Sequence, residues 1–254
     1  MGSLDGKVAV VTGATSGSGR AIAERFVREG ASVGLLARGR ERLDALAAEL
    51  GPGATAVPAD VGDPASVRAA FSEVGDRFGR LHILVNNAAV YRPCLVERLS
   101  DDDIERQVAT NLLGPVHTCR AAIPLLRAAG EGDIVNTSSE STLHPFPMLS
   151  MYVATKAALE AFDKVLTQEV VDDDIRVTTL VQGGAQVAGE GSTDWAWDAD
   201  DGAAAIEMWT EQGLMAQAFG RHGGQDVDAI AEVHLFIVTR PRNQKLDTVF
   251  CRSF

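Results

Sequence analysis

At 254 residues with 46% hydrophobic content, the chain is long enough to bury one full core, and no Ser/Pro-rich linker or shift in composition divides it. A formal net charge of -12 with no basic stripe argues against nucleic acid and against an anionic membrane surface as partners. Cys94, Cys119 and Cys251 stand far apart with no CxxC pair and no histidine cluster, which argues against a disulfide frame or a bound metal. No apolar run is long enough for an export signal or a membrane span, so the expected location is the cytoplasm.

A first buried strand is read at Val8–Val11 and runs into Thr12-Gly13-Ala14-Thr15-Ser16-Gly17-Ser18-Gly19. Helical periodicity then covers Gly19–Arg28. Glycines at 13, 17 and 19 let the backbone turn tightly and approach a ligand with no Cβ in the way. The helix behind them offers free N–H groups and the positive end of its dipole to a pyrophosphate. A glycine cluster carries that meaning only between a strand and a helix, which is where this one lies. A second strand at Ser32–Ala37 leads to a helix at Arg40–Leu50, and a third at Ala54–Pro58 leads to Asp60-Val61. Asp63-Pro64 supplies a capping oxygen and a first-turn proline for a helix over Ala65–Phe78. The fourth strand, His82–Val85, precedes Asn86-Asn87-Ala88-Ala89. A long helix over Asp103–Ala128 follows, with Ile104, Val108, Leu112, Val116, Cys119 and Ile123 on its buried face. Asp133–Asn136, a helix over Tyr152–Val171 and a strand at Ile175–Val181 continue the alternation. This pattern predicts the α/β class: a three-layer, Rossmann-type doubly wound parallel sheet in one domain, with its ligand at the carboxyl ends of the strands.

Taken together, T-G-x-x-x-G-x-G at Thr12–Gly19, N-N-A-A at Asn86–Ala89, Asp60 after the third strand, Asn111, Ser139 and the Y-x-x-x-K pair Tyr152 and Lys156 resemble the short-chain dehydrogenases/reductases. The resemblance covers nearly the whole chain. It implies an NAD(P)-dependent interconversion of a ketone or aldehyde with a secondary alcohol. It makes Asn111, Ser139, Tyr152 and Lys156 the catalytic group. It also implies dinucleotide contacts from Gly13, Ser16, Gly17, Ser18, Gly19, Asp60, Val61, Asn86, Ala88 and Gly183, with Tyr152 and Lys156 at the nicotinamide ribose. Tyr152 and Lys156, four apart on one helix, share a face. A free phenol titrates near ~10, and a nearby ammonium together with the oxidised nicotinamide's positive charge is expected to lower that value. Ser139 would hold the substrate oxygen beside the tyrosine. Pro115 has no N–H for the Asn111 carbonyl, which is therefore expected to be free at mid-helix; the family holds a water there, and a simple packing kink is the other reading. The resemblance also allows an epimerase or dehydratase, or a non-catalytic NADP-sensing protein.

The second strand ends Leu35-Leu36-Ala37-Arg38, so the place where NAD enzymes hold an acid is taken by Ala37, and Arg38 follows. A guanidinium suits a 2′-phosphate, so NADP(H) is preferred and NAD(H) is the alternative. Gln182 departs from the family's Pro-Gly pair after the sixth strand. The rhythm breaks over about 183–220, where the family has its substrate lid. Trp195, Trp197 and Trp209 all lie there, and no Lys or Arg occurs from Val177 through Gly220. A neutral, apolar or ring-bearing carbonyl is expected, with cationic substrates accepted ahead of anionic ones. Tyr91, Phe146, Met148 and Trp195 are the expected substrate contacts. Most of the acidic residues of this segment are read as solvated, and Arg92 as a surface residue, with an anion contact from the loop after the fourth strand as its other role. A homotetramer or homodimer through the long helices is the expected assembly.

Overall fold

The structure, a computed structural model, describes residues 2–186 and 198–254. Seven strands form its main sheet: β1 (Val8–Thr12), β2 (Ser32–Ala37), β3 (Ala54–Pro58), β4 (Ile83–Asn86), β5 (Gly132–Ser139), β6 (Ile175–Gln182) and β9 (Thr248–Cys251). They lie in the order β3-β2-β1-β4-β5-β6-β9, and every neighbouring pair is parallel. Continuous β-branched and leucine runs such as Val8-Ala9-Val10-Val11 suit strands that are covered on both faces.

The pleat sends alternate residues to opposite sides. On one side Val11, Leu35 and Ile83 pack with α1 (Gly17–Arg28), α2 (Arg40–Leu50) and α9 (Val227–Val238). On the other, Val10, Leu36 and Leu84 pack with α3 (Pro64–Phe78), α5 (Gly114–Ala129) and α6 (Ser150–Glu169). This is the three-layer Rossmann-type arrangement that the alternation predicts. Asp63 caps α3 as expected, its carboxylate accepting from Ala65 N at 2.9 Å and Ser66 N at 3.3 Å.

Two features differ from the sequence expectation. The long fourth helix is not continuous: α4 (Asp101–Val108) passes through a π-turn at Ala109–Leu113 before α5 begins. Gly114 N–H reaches back to the Ala109 carbonyl, and the proline that follows has no N–H to continue the ladder. Beyond β6, the short β7 (Ala185–Gln186) pairs with β8 (Gln225–Asp226) beside the helices α7 (Ala199–Glu211) and α8 (Leu214–Phe219). The chain then returns to the frame through α9 and β9.

Candidate active site

Strand order reverses between β1 and β4, and a cleft of about 480 Å³ opens there along the carboxyl ends of the strands. Thr12 joins the two strand ends: its Oγ1 accepts from Asn87 N and Ala88 N, both at 3.0 Å, and its carbonyl accepts from Asn87 Nδ2 at 3.3 Å. The glycine turn is packed against that junction. Gly13 sits at φ +67°, and a Cβ on Gly19 would lie 2.2 Å from the Gly13 carbonyl oxygen. Side chains cap α3, α4, α7 and α9, whereas Ser16 makes no side-chain cap on α1. The first N–H groups of α1 thus have no side-chain acceptor at Ser16, beside Ser16, Gly17 and Ser18 in the cleft wall. This cradle fits a pyrophosphate.

Arg38, Asp60 and Val61 line the same end of the cleft, joined by Arg42, which the sequence reading left unassigned. Arg42 folds back over Gly39, where a Cβ would meet its Nε at 3.1 Å. The Asp60 carboxylate is held by Gly62 N–H at 2.9 Å. Ala88 and Gly183 also line the cleft. Gly19 and Asn86 do not. Gly19 lies behind the turn, and the Asn86 side chain is spent inside the sheet, donating to Asn136 Oδ1 at 2.8 Å and accepting from Thr118 Oγ1 at 2.7 Å.

Ser139, Tyr152 and Lys156 meet in the middle of the cleft. Ser139 Oγ accepts from Ser141 N at 3.2 Å and Ser141 Oγ at 2.9 Å, which leaves its own proton for the phenol beside it. Ser141 is thus an orienting residue that the sequence reading missed. Ser138, the rival serine, donates instead to Glu160 Oε1 at 2.5 Å. Lys156 Nζ lies 5.8 Å from the centre of the Tyr152 ring and donates to the Thr137 carbonyl at 2.6 Å.

Burial pushes the phenol up to about 12, with the Ser139 hydrogen bond opposing it and Tyr91 adding to it. The expected lowering calls on the oxidised nicotinamide's charge as well as the lysine; in the chain alone the phenol is raised. Burial lowers the Lys156 ammonium to about 8, against the pull of Asp163 and Glu160.

Asn111 is buried and does not face the cleft. Its Oδ1 accepts from Val90 N at 2.8 Å, and its Nδ2 donates to the Val90 carbonyl at 2.7 Å and to Thr155 Oγ1 at 3.3 Å. The side chain pins the π-turn to the loop after β4 and to α6.

Tyr91 and Phe146 line the far end of the cleft. Met148 does not: it is buried behind the wall at φ +67°, with its carbonyl taking Cys94 N–H at 2.8 Å. Trp195 and Trp197 lie outside the described residues. Trp209 lines the cleft from α7, edge-on to Phe146 at 5.4 Å, with Nε1 donating to the Pro147 carbonyl at 2.7 Å. Met215 and Phe219 line it from α8.

Arg92 is not a solvated surface residue, and Asp201 is not a solvated acid. Asp201 is buried, 2.8 Å from Arg98 Nη1 and 3.3 Å from Arg92 Nη2, and fastens α7 to the loop after β4. Gln182 does not loosen the loop after β6. Gly183 N–H donates to the Cys251 carbonyl at 2.8 Å and Gly184 N–H to Glu140 Oε1 at 3.1 Å, so β9 and Glu140 hold the turn without a proline.

Residues 7–194 match a family model described as short chain dehydrogenase. A D-threitol dehydrogenase from Mycolicibacterium smegmatis is 40% identical over 180 residues, which span 70% of this chain and 69% of that one. Two solved structures share the fold almost end to end. One is an alcohol dehydrogenase from the archaeon Thermococcus sibiricus complexed with 5-hydroxy-NADP, with a TM-score of 0.80 at 27% identity, covering 97% of this chain and 96% of that one. The other is a 3-ketoacyl-(acyl-carrier-protein) reductase from Brucella melitensis complexed with NADH, with a TM-score of 0.81 at 28% identity, covering 97% of each chain.

Proposed function

The chain belongs to the short-chain dehydrogenase family, and from that premise we propose that it is an NADP(H)-dependent oxidoreductase interconverting a ketone or aldehyde with a secondary alcohol. The observation that carries this reading is the meeting of Ser139, Tyr152 and Lys156 in one cleft with the glycine turn. When bound, the dinucleotide supplies the hydride and, in its oxidised form, a positive ring charge. Gly13, Ser16, Gly17 and Ser18, with the start of α1, would hold its phosphates, and Asp60, Val61 and Ala88 would frame the adenosine half. Arg38 and Arg42 would grip the 2′-phosphate. The two cofactors named for the solved relatives do not choose between NADP and NAD, so the preference rests on those arginines and on the missing acid at Ala37.

Ser139 donates its proton to the substrate oxygen and holds it beside Tyr152. A phenol near 12 is fully protonated at neutral pH, the state needed to give a proton during reduction. Accepting one during oxidation requires further positive charge close by, which Lys156 shares in supplying. The Asn111 main-chain carbonyl, opposite Pro115, would hold a water that links Lys156 to solvent. Residues 183–220 act as the substrate lid, and the substrate is neutral or cationic; the D-threitol of the relative's name is a neutral alcohol. A cytoplasmic homodimer or homotetramer completes the reading.

The test is a panel of ketones and secondary alcohols assayed with NADP(H) and NAD(H). Tyr152→Phe should lower turnover by about 10²–10⁴-fold while NADPH affinity changes little. Arg38→Glu should raise KM for NADP(H) by about 10–100-fold, with a much smaller effect on NAD(H). Full turnover by the Tyr152→Phe protein, or equal effects of Arg38→Glu on the two cofactors, would overturn the corresponding part.

A further inference from the structure

At the substrate end of the cleft one charge has no counterpart. Glu140 follows Ser139 directly, is buried, and lines the cleft. Its carboxylate lies against Gly183, where a Cβ would meet Cδ, Oε1 and Oε2 at 3.0 Å each. Oε1 takes Gly184 N–H, and among the described residues no cation pairs with the group. Among the described residues, the Gly184 hydrogen bond and the exposed Arg252 and His144 act on it against the burial that raises its pKa.

The described cations that line the cleft are Arg38 and Arg42, at the glycine-turn end, and Lys156, already bonded to Thr137. Phe146, Trp209 and Phe219 also line the cleft, and aromatic rings attract a positive charge over their faces. A buried carboxylate short of donors, in a cleft also lined by aromatic rings, suits a group with N–H donors and a positive charge.

We propose that Glu140 selects the substrate, taking an ammonium on the limb beside the reacting carbon, so that the substrate class is an aryl or alkyl amino ketone and its amino alcohol. This rests on the oxidoreductase reading and sharpens it. The reaction at carbon is unchanged: the ammonium is held, not transformed.

Three ligands of one shape separate the charge from the ring. With NADP⁺ present, 2-amino-1-phenylethanol carries the ammonium, 1-phenyl-1-propanol replaces it with methyl, and mandelate replaces the whole aminomethyl group with a carboxylate. Binding is read by quenching of tryptophan fluorescence, and turnover by NADPH absorbance. The ammonium ligand should bind about tenfold tighter than the neutral one, with mandelate weakest. Glu140→Gln keeps the volume and an oxygen for Gly184 N–H but removes the charge, and it should bring the first ratio to about twofold. A wild-type protein that binds the neutral ligand as tightly as the ammonium, or a Glu140→Gln protein that keeps the tenfold ratio, overturns the proposal. The wild-type ranking decides the matter even if the variant does not fold. The expected ranking with no NADPH formed from any ligand supports Glu140 as the selector and counts against the oxidoreductase reading instead.

Discussion

The parallel frame and the α7–α8 cap are built by different means. In the frame, β1 to β6 are tied by continuous ladders, and each strand buries side chains on both faces. The cap is tied to it by a few side chains: Asp201 between Arg92 and Arg98, Trp209 on the Pro147 carbonyl, and the two-residue pair of β7 with β8. On the proposed function, nucleotide recognition rests largely on backbone shape local to one turn, and substrate recognition on contacts between residues 62 to 109 positions apart.

Substitutions in the two regions should separate accordingly. The largest effect is expected at Asp201. Asp201→Ala leaves Arg92, which is 15% exposed, without its buried partner, at a cost of about 3 kcal/mol. A thermal melt reads that cost. Because it falls on the cap, KM for the carbonyl substrate should rise while KM for NADP(H) holds. An equal rise in both would break the division between the regions. Gly19→Ala comes next: its Cβ must displace the Gly13 carbonyl or Asn87, costing roughly 1–3 kcal/mol. It should weaken NADP(H) and NAD(H) alike, unlike Arg38→Glu, and leave the ranking of substrates intact. A change in that ranking would tie the glycine turn to the cap.

Lys156 bears on the frame alone. Burial holds its pKa at about 8, below the 10.5 of the unfolded chain, so the unfolded state binds more protons between those values. The stability this group contributes is present above 10.5 and lost as pH falls through about 8. Lys156→Met should abolish turnover yet gain about 1 kcal/mol at pH 7, a gain that melts at rising pH should show fading towards 10.5. A loss of stability at pH 7 would mean that the bond to Thr137 outweighs the burial.

The same division explains what the sequence discloses. The glycine turn, Asp60, Ser139, Tyr152 and Lys156 are legible because each sits at a strand end or on an amphipathic helix, where spacing alone fixes the face. Pro115 locates the break in the long helix, although the π-turn itself depends on Asn111 reaching Val90 and Thr155. Asp201 and Arg92 read as solvated because their partnership exists only once α7 has docked. Glu140 reads as an ordinary polar residue after a serine until Gly183 and Gly184 close over it. α9 escapes for another reason: Ile230, Ala231, His234, Leu235, Ile237 and Val238 are all buried, and apolar residues round most of a helix leave little amphipathic period to detect. β9 has four residues, too few for alternation to stand out.

α9 follows the cap in the chain yet packs with α1 in the frame, which makes it a test of where the boundary falls. His234 is fully buried there. Its Nδ1 lies 2.9 Å from the Ile230 carbonyl, and Nε2 has no partner among the described residues. Burial lowers its pKa from 6.5 to about 4, so the stability it contributes is present above 6.5 and is lost as pH falls through about 4. Asp163, raised to about 6 by burial, runs the other way: its contribution is present below 3.8 and lost as pH rises through about 6. The two nearly cancel between pH 4 and 6. His234→Leu removes one side of that balance, so its gain in stability over the wild type should be larger at pH 5 than at pH 7, by about 2 kcal/mol. If α9 belongs to the frame, one cooperative transition moves and KM for the substrate does not. An equal gain at both pH values would mean that the imidazole is not held neutral by burial, and a changed substrate KM would assign α9 to the cap.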